Sequence, residues 1–176
     1  MTFQSSMQAY DARLYHPSTL LVCGTTGSGK TCFTNQLLKY SKMMFQPNAP
    51  SFRILVYDTW QDNYDIMVKN NTVDLCLKGL PNIDYLKEVL EEHKNNGGTL
   101  MIIDDQMQNV DQLIVNIFTI YSHHFNMTCL LLTQSLFLSS KEYRTISLNS
   151  HYIILMKNTR DSSSVTNLAK QTHPYR

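Results

Sequence analysis

Short apolar runs alternate with amphipathic segments along most of this 176-residue chain. The apolar runs are rich in Val, Ile and Leu and end at polar, Gly or Pro positions, which is typical of buried strands. We predict strands at 19–23, 52–57, 73–77, 99–103, 128–132 and 151–156. Strands that alternate with helices favour a mostly parallel sheet between two helical layers. The pattern therefore predicts an α/β fold.

Apolar residues at three- and four-residue spacing predict amphipathic helices between these strands. The stripes are Phe33, Leu37, Tyr40 and Met44; Ile83, Leu86 and Leu90; and Val110, Leu113, Ile114, Ile117, Phe118 and Tyr121. Asn82 is placed to cap the second of these helices. We expect a polar connection that contains Lys141, Arg144 and Asn149 before the last strand, and a short final helix at 161–171. Residues 1–17 are predicted to form an N-terminal arm, and residues 18–176 a single domain.

The segment GTTGSGKT at 24–31 lies between the first strand and the first helix, and matches the phosphate-binding loop pattern. Glycines allow backbone N–H groups to converge on phosphate oxygens. Lys30 would contact the β- and γ-phosphates of ATP, and the Thr31 hydroxyl would bind Mg²⁺. We expect the nucleotide to contact the whole loop: Gly24, Thr25, Thr26, Gly27, Ser28, Gly29, Lys30 and Thr31. The order strand, loop, helix argues against a simple glycine turn.

Three polar residues follow two later strands. Asp104 and Asp105 end the strand at 99–103, and Gln134 follows the strand at 128–132. The carboxyl ends of parallel strands meet at the edge of the sheet where ligands bind. We therefore predict that Asp104 holds Mg²⁺ with Thr31, that Asp105 activates the attacking water, and that Gln134 orients it or senses the γ-phosphate. A solvated helix start for the aspartates and a loop role for Gln134 are the alternatives.

Other chemistry-bearing residues leave more than one interpretation open. Arg144 is a candidate arginine finger for a neighbouring subunit, with Arg160 as its competitor, and either could instead contact phosphate or only solvent. Trp60, near Tyr57 and Tyr64, could stack on nucleic acid or belong to the core or a subunit contact. Residues 123 and 124 are both histidines, but no third metal ligand lies at a useful spacing from them, so a packing or surface role is favoured.

Composition limits the classes of protein. With 43% hydrophobic and 16% charged residues the chain is globular, and a net charge of +1 provides no global attraction for nucleic acid. The four cysteines lack CxxC spacing and favour free, buried thiols in a reducing compartment. No signal peptide or membrane-spanning run is evident, so we expect an intracellular, soluble protein without membrane contact.

Together these segments resemble the genome-packaging ATPases of the FtsK–HerA class, especially those of Polinton-type elements, adintoviruses and their poxvirus relatives. The resembling segments are GTTGSGKT at 24–31, YDTWQDNYD at 57–65, KGLPN at 78–82, IIDD at 102–105, SHHFN at 122–126, LLTQSLF at 131–137 and YRTISLNSHYIILMKNTRD at 143–161. The resemblance covers nearly the whole chain from Leu20 onward. Its last segment is the most specific, because an unrelated phosphate-loop protein has no reason to carry it.

The resemblance implies an additional-strand P-loop NTPase fold and a homo-oligomeric ring. It also implies DNA-stimulated ATP hydrolysis that drives double-stranded DNA, without sequence preference, into a capsid. The resemblance makes capsid or portal proteins further candidate partners. It also implies that the protein is located in the host cytoplasm, the nucleus or the virion. Many relatives have glutamate at the position of Asp105. Many also have an arginine where this chain has residues 124–126, and the absence of that arginine here favours Arg144 as the finger. A small-molecule kinase and a nucleotide-gated scaffold with little turnover are the alternative functions.

Overall fold

In a computed structural model the described residues are 11–104, 112–136, 140–157 and 162–172. The strands are β1 (Leu14–Tyr15), β2 (Thr19–Cys23), β3 (Phe45–Gln46), β4 (Phe52–Tyr57), β5 (Leu75–Lys78), β6 (Thr99–Asp104), β7 (Met127–Thr133) and β8 (Tyr152–Leu155). The α-helices are α1 (Lys30–Lys39), α2 (Ser41–Met44), α3 (Asp62–Lys69), α4 (Ile83–His93), α5 (Gln112–Asn116), α6 (Ser122–His124), α7 (Lys141–Leu148) and α8 (Ser162–Thr172). A π-helical turn (Ile117–Tyr121) joins α5 to α6.

Six of these strands form one parallel sheet, in the order β5-β4-β6-β7-β2-β8. This arrangement confirms the predicted α/β fold. The strand β7 lies between β2, which leads into the phosphate loop, and β6, which ends at Asp104. That inserted strand is the feature of the additional-strand arrangement. It places the residue after β7 between the loop and Asp104.

Both faces of the sheet are covered by helices, because the central strands are apolar at successive positions. In β2, Leu20 and Val22 pack with α1 and α3 on one face, while Leu21 packs with α4, α5 and α7 on the other. The central strands β2, β6 and β7 are buried along their whole length. Burial on both faces explains why these strands read as continuous apolar runs and not as alternating patterns.

Several elements differ from the sequence prediction. The expected polar connection contains the helix α7, which begins where the Ser140 side chain accepts a hydrogen bond from Tyr143 N at 3.1 Å. Tyr143 and Ile146 then bury one side of this helix. The first predicted stripe fails at Tyr40, which is 44% exposed, because α1 ends at Lys39 and the chain turns into α2.

Other predictions on the fold are met. Asn82 caps α4 by accepting a hydrogen bond from Asp84 N at 2.8 Å. Ile114, Ile117, Phe118 and Tyr121 are buried as their spacing predicted, whereas Val110 lies outside the described residues. All four cysteines are free, but Cys32 is exposed on α1 and does not fit the expected burial. Among the described helices, none has the length and apolar character needed to cross a membrane.

Candidate nucleotide-binding site

The phosphate loop needs glycine at three positions for two different reasons. Gly27 and Gly29 have φ values of 77° and 97°, a left-handed backbone conformation that other residues adopt only with strain. Gly24 needs glycine because of space, since a β-carbon there would overlap Ser28 Oγ and lie 2.6 Å from Met156 Cβ. The loop is anchored to the sheet where Gly24 N donates to Thr133 O at 3.0 Å. The glycines at these three positions therefore specify the tight conformation of the phosphate loop.

Lys30 begins α1 and folds back over the loop that precedes it. Its Nζ donates to the carbonyl oxygens of Gly24 at 2.6 Å and Thr25 at 3.2 Å. The ammonium group thus lies on the concave side of the loop, and the N-terminus of α1 adds its partial positive charge at the same place. This arrangement suits a phosphate group, because cation and helix terminus both favour negative charge.

Asp104 is the last residue of β6 and is only 4% exposed. The Tyr64 hydroxyl donates a hydrogen bond of 2.6 Å to its Oδ2. Tyr64 itself is 1% exposed, which places it in the core and not on a nucleic-acid stacking surface. A buried carboxylate of this kind is a suitable ligand for a hard cation such as Mg²⁺.

One cavity of about 380 Å³ brings most of the predicted residues together. Its walls are Thr26, Gly27, Gly29, Lys30, Thr31, Cys32, Gln61, Asp104 and Gln134. Gln134 follows β7 directly and enters the cavity between the loop and Asp104, as the strand order requires. The structure therefore places Lys30, Thr31, Asp104 and Gln134 around one space, while their individual roles stay predictions.

The backbone beside Gln134 is supported from the other face of the sheet. The Tyr143 hydroxyl donates to Ser135 O at 2.7 Å and lies 3.3 Å from Thr133 Oγ1. Burial raises the pKa of Tyr143 to about 12, so the hydroxyl stays protonated and remains a donor at physiological pH. This contact fixes the chain on both sides of Gln134.

Gln61 is a cavity residue that the sequence analysis did not select. Its Oε1 accepts a hydrogen bond of 3.4 Å from Thr31 Oγ1, and it lies immediately before α3. The sequence carried only a partial signal, because Gln61 follows shortly after the predicted strand at 52–57, whereas the pairing of Tyr57 with Asp104 is visible only in the structure. A polar residue just past that point belongs to the same sheet edge as Asp104.

Four predicted residues within the described part of the chain are not among the cavity walls: Gly24, Thr25, Ser28 and Arg144. Arg144 is exposed on the first turn of α7. Asp105 and Arg160 lie outside the described residues. His123 packs edge-on against His151, with ring centroids 5.7 Å apart, at a separate cavity of about 260 Å³ near the start of β8.

The donor set of the main cavity fits a nucleotide with Mg²⁺. The loop and Lys30 supply positive charge, and Thr31 and Asp104 supply the hard oxygen atoms that Mg²⁺ prefers. The 380 Å³ volume is within the usual range of small-molecule sites. The geometry therefore supports a site for phosphate groups and a divalent cation at the carboxyl edge of the sheet.

Comparison with known proteins supports the same class of fold. A KaiC-like protein from the archaeon Pyrococcus horikoshii OT3 matches with a TM-score of 0.51 and 17% identity, over 82% of this chain and 76% of that protein. The cytoplasmic domain of EssC matches with a TM-score of 0.54 and 12% identity, over 86% of this chain. This chain spans about a third of the EssC domain (33%).

No protein-family model matches the sequence, and no curated protein matches it significantly. At these low identities the structural matches establish the fold alone. The chain has the fold of the P-loop NTPases, with a six-stranded parallel sheet flanked by helices. Proteins of this fold generally bind a nucleotide and Mg²⁺ at the loop that residues 24–31 form here.

Proposed function

We propose that this chain is an ATPase, and that it is the motor subunit that moves double-stranded DNA into a viral capsid. The observation that carries the ATPase part is the shared cavity of the phosphate loop, Asp104 and Gln134. The loop and Lys30 would hold the phosphates, and Thr31 with Asp104 would hold Mg²⁺, which would supply positive charge beside the phosphate oxygens. Gln134 orients the attacking water, and Asp105 accepts its proton.

The DNA-translocating part rests on the resemblance to packaging ATPases and on the position of exposed cations. Lys39 and Lys42 are exposed at the end of α1 and in α2, at the opposite edge of the sheet from the nucleotide cavity. Neither makes an ion pair among the described residues, whereas Arg13, Arg53 and Lys94 are each paired with an acid. These two lysines are therefore available to contact phosphates without blocking the nucleotide site.

A ring would compensate for the weak charge of each subunit. With a net charge of +1, one subunit can neutralise only a few DNA phosphates. Repeating a weak contact around a closed oligomer raises avidity by roughly 10²–10⁴-fold. In such a ring Arg144, exposed and outside its own subunit's cavity, would reach the γ-phosphate held by a neighbour. DNA binding should therefore depend on assembly.

The first prediction tests the motor function through the ATPase rate and DNA retention at increasing salt. Two unrelated duplexes should stimulate hydrolysis equally, and retention should fall steeply with salt, with a slope of about −0.9 per neutralised phosphate. Light scattering on the same samples should show that binding appears only in the assembled form. The double variant Lys39→Ala/Lys42→Ala should lose stimulation and keep the basal rate, and Lys69→Ala/Lys87→Ala is its matched control.

Four outcomes would contradict this proposal in different ways. Tight DNA binding by a monomer, or a strong preference for one duplex, would exclude a sequence-independent ring. ATP consumption that requires a small-molecule phosphate acceptor would favour the kinase. Nucleotide binding without turnover, with or without DNA, would favour the scaffold.

The second prediction concerns the arginine finger. Arg144→Ala should keep the nucleotide affinity of each subunit and lower the turnover rate by roughly 10³-fold or more. Mixing this variant with Lys30→Ala subunits should restore part of the activity, because each subunit supplies the group that its neighbour lacks. If rings shown to contain both variants are not rescued, Arg144 does not act on the nucleotide of a neighbouring subunit. Arg160→Ala tests the competing residue in the same assay.

A further inference from the structure

The segment at 57–64 contacts both residues that are expected to hold Mg²⁺. It runs from the end of β4 into the first turn of α3, beside the nucleotide cavity. Gln61 and Tyr64 are three positions apart, and Tyr64 N donates to Gln61 O at 2.9 Å. Positions three apart lie on the same side of a helical turn. One element therefore brings Gln61 to the cavity wall and Tyr64 to the buried carboxylate of Asp104.

Gln61 offers the hydroxyl proton of Thr31 an acceptor. Thr31 Oγ1 donates to Gln61 Oε1 at 3.4 Å. A hydroxyl that binds a metal ion must present a lone pair to it, so its proton needs an acceptor elsewhere. The amide oxygen of Gln61 is such an acceptor, and it is uncharged. Gln61 thus orients the Thr31 lone pairs without competing for the cation's charge.

The contact of Tyr64 with Asp104 fixes the orientation of the carboxylate. The distance from Tyr64 Oη to Asp104 Oδ2 is 2.6 Å, which is typical of a hydroxyl bound to an ionised carboxylate. Both residues are buried, so water competes poorly for this hydrogen bond. Carboxylates that bind metal ions are commonly held by a second hydrogen bond of this kind, and losing it weakens metal affinity.

We propose that Gln61 and Tyr64 are positioning residues for the magnesium ligands Thr31 and Asp104, so that one segment orients both halves of the metal site. This inference rests on the proposed nucleotide-binding function. Trp60 can report metal binding through its fluorescence, because it is the only tryptophan in the sequence and packs against Tyr64 with ring centroids 5.5 Å apart. Metal binding at Asp104 should then change the fluorescence of Trp60.

The test measures Mn²⁺ affinity in the presence of ADP by electron paramagnetic resonance. Tyr64→Phe removes only the hydroxyl and should weaken Mn²⁺ binding by about 10–100-fold. Gln61→Ala should weaken it by about twofold to tenfold, since the hydrogen bond it removes is longer. Gln61→Glu keeps an acceptor and adds a negative charge beside the cation, so its Mn²⁺ affinity should be at least that of the wild type. ADP affinity measured in EDTA should stay unchanged in Tyr64→Phe and Gln61→Ala, which a general structural defect would not allow.

Tyr57→Phe is the matched control, because Tyr57 packs in the same aromatic cluster and its hydroxyl is not bonded to Asp104. Wild-type Mn²⁺ affinity in both Tyr64→Phe and Gln61→Ala would overturn the inference and leave the proposed function intact. If Tyr64→Phe does not fold, the Gln61 variants decide. Failure of the wild-type protein to bind ADP at all would overturn the proposed function and this inference with it.

Discussion

The two edges of the sheet use similar polar side chains in opposite ways. At the carboxyl edge Lys30, Thr31, Asp104 and Gln134 converge on an open cavity. At the amino edge the polar groups around His16 bind one another. There His16 Nε2 donates to Gly97 O at 3.0 Å, and His16 Nδ1 lies 2.7 Å from Thr128 Oγ1. We infer that the polar residues at the carboxyl edge bind a ligand, whereas those around His16 stabilise the fold.

The protonation state of His16 follows from its partners. The carbonyl oxygen of Gly97 can only accept, so Nε2 carries the proton and Nδ1 accepts from the Thr128 hydroxyl. Thr128 Oγ1 in turn accepts from Ser18 N at 3.2 Å. The hydrogen-bonding groups of His16 are satisfied within this network, which stabilises the start of β7.

The third prediction makes the same substitution at both edges. Gly98→Ala should destabilise the fold by about 3 kcal/mol or more, because Gly98 has a φ of 74° and an added β-carbon would overlap the Asn126 carbonyl oxygen. Gly24→Ala should instead weaken nucleotide binding, since its clash is with Ser28 and Met156 around the phosphate loop. The free energy of unfolding in denaturant and the affinity for Mg·ATP are measured for each.

Two results would break this comparison. If Gly98→Ala lost nucleotide binding at wild-type stability, the amino edge would be part of the site. If Gly24→Ala cost more stability than Gly98→Ala and kept nucleotide affinity, the loop would be a structural turn.

The fourth prediction concerns the dependence of stability on pH. Burial lowers the pKa of His16 below its usual 6.5, so in the unfolded chain this residue takes up a proton at a higher pH than in the fold. Its contribution to stability is therefore present above pH 6.5 and is lost as the pH falls below it. The slope from one proton is at most about 1.4 kcal/mol per pH unit.

His16→Gln should reduce this slope, measured by denaturant unfolding between pH 5 and pH 8. A smaller slope should remain, because burial and the nearby His123 also lower the pKa of His151. An unchanged slope in His16→Gln would show that the network at the amino edge tolerates a charged histidine.

Much of this fold could be predicted from the chain because its strands are buried on both faces. Continuous apolar runs identified β2, β4, β6 and β7, and the glycine pattern identified the loop. The helix α7 was not predicted, since only Tyr143 and Ile146 mark its buried side within a polar segment. The π-helical turn was not predicted either, because the inward positions keep their spacing through it.

The candidate site was predicted where a residue follows a strand directly, and was missed where tertiary packing decides. Lys30, Asp104 and Gln134 follow from motif and strand ends. The sequence did not decide whether Tyr64 belongs to the core or to the surface, because its contact with Asp104 depends on how α3 packs over β4 and β6. Gln61 was passed over because its orientation depends on where α3 begins. Contacts between elements of this kind have no signature in local spacing.

The most direct test of nucleotide binding at the carboxyl edge is isothermal titration calorimetry of Mg·ATP into the wild-type protein and Lys30→Ala. Lys30 is the first residue of α1 and its ammonium lies over the loop and not in the core, so its removal should leave thermal unfolding unchanged. We expect the wild type to bind one nucleotide per chain, and Lys30→Ala to bind at least about 30-fold more weakly. Equal affinity in the two folded proteins would contradict the assignment of this edge as the nucleotide site.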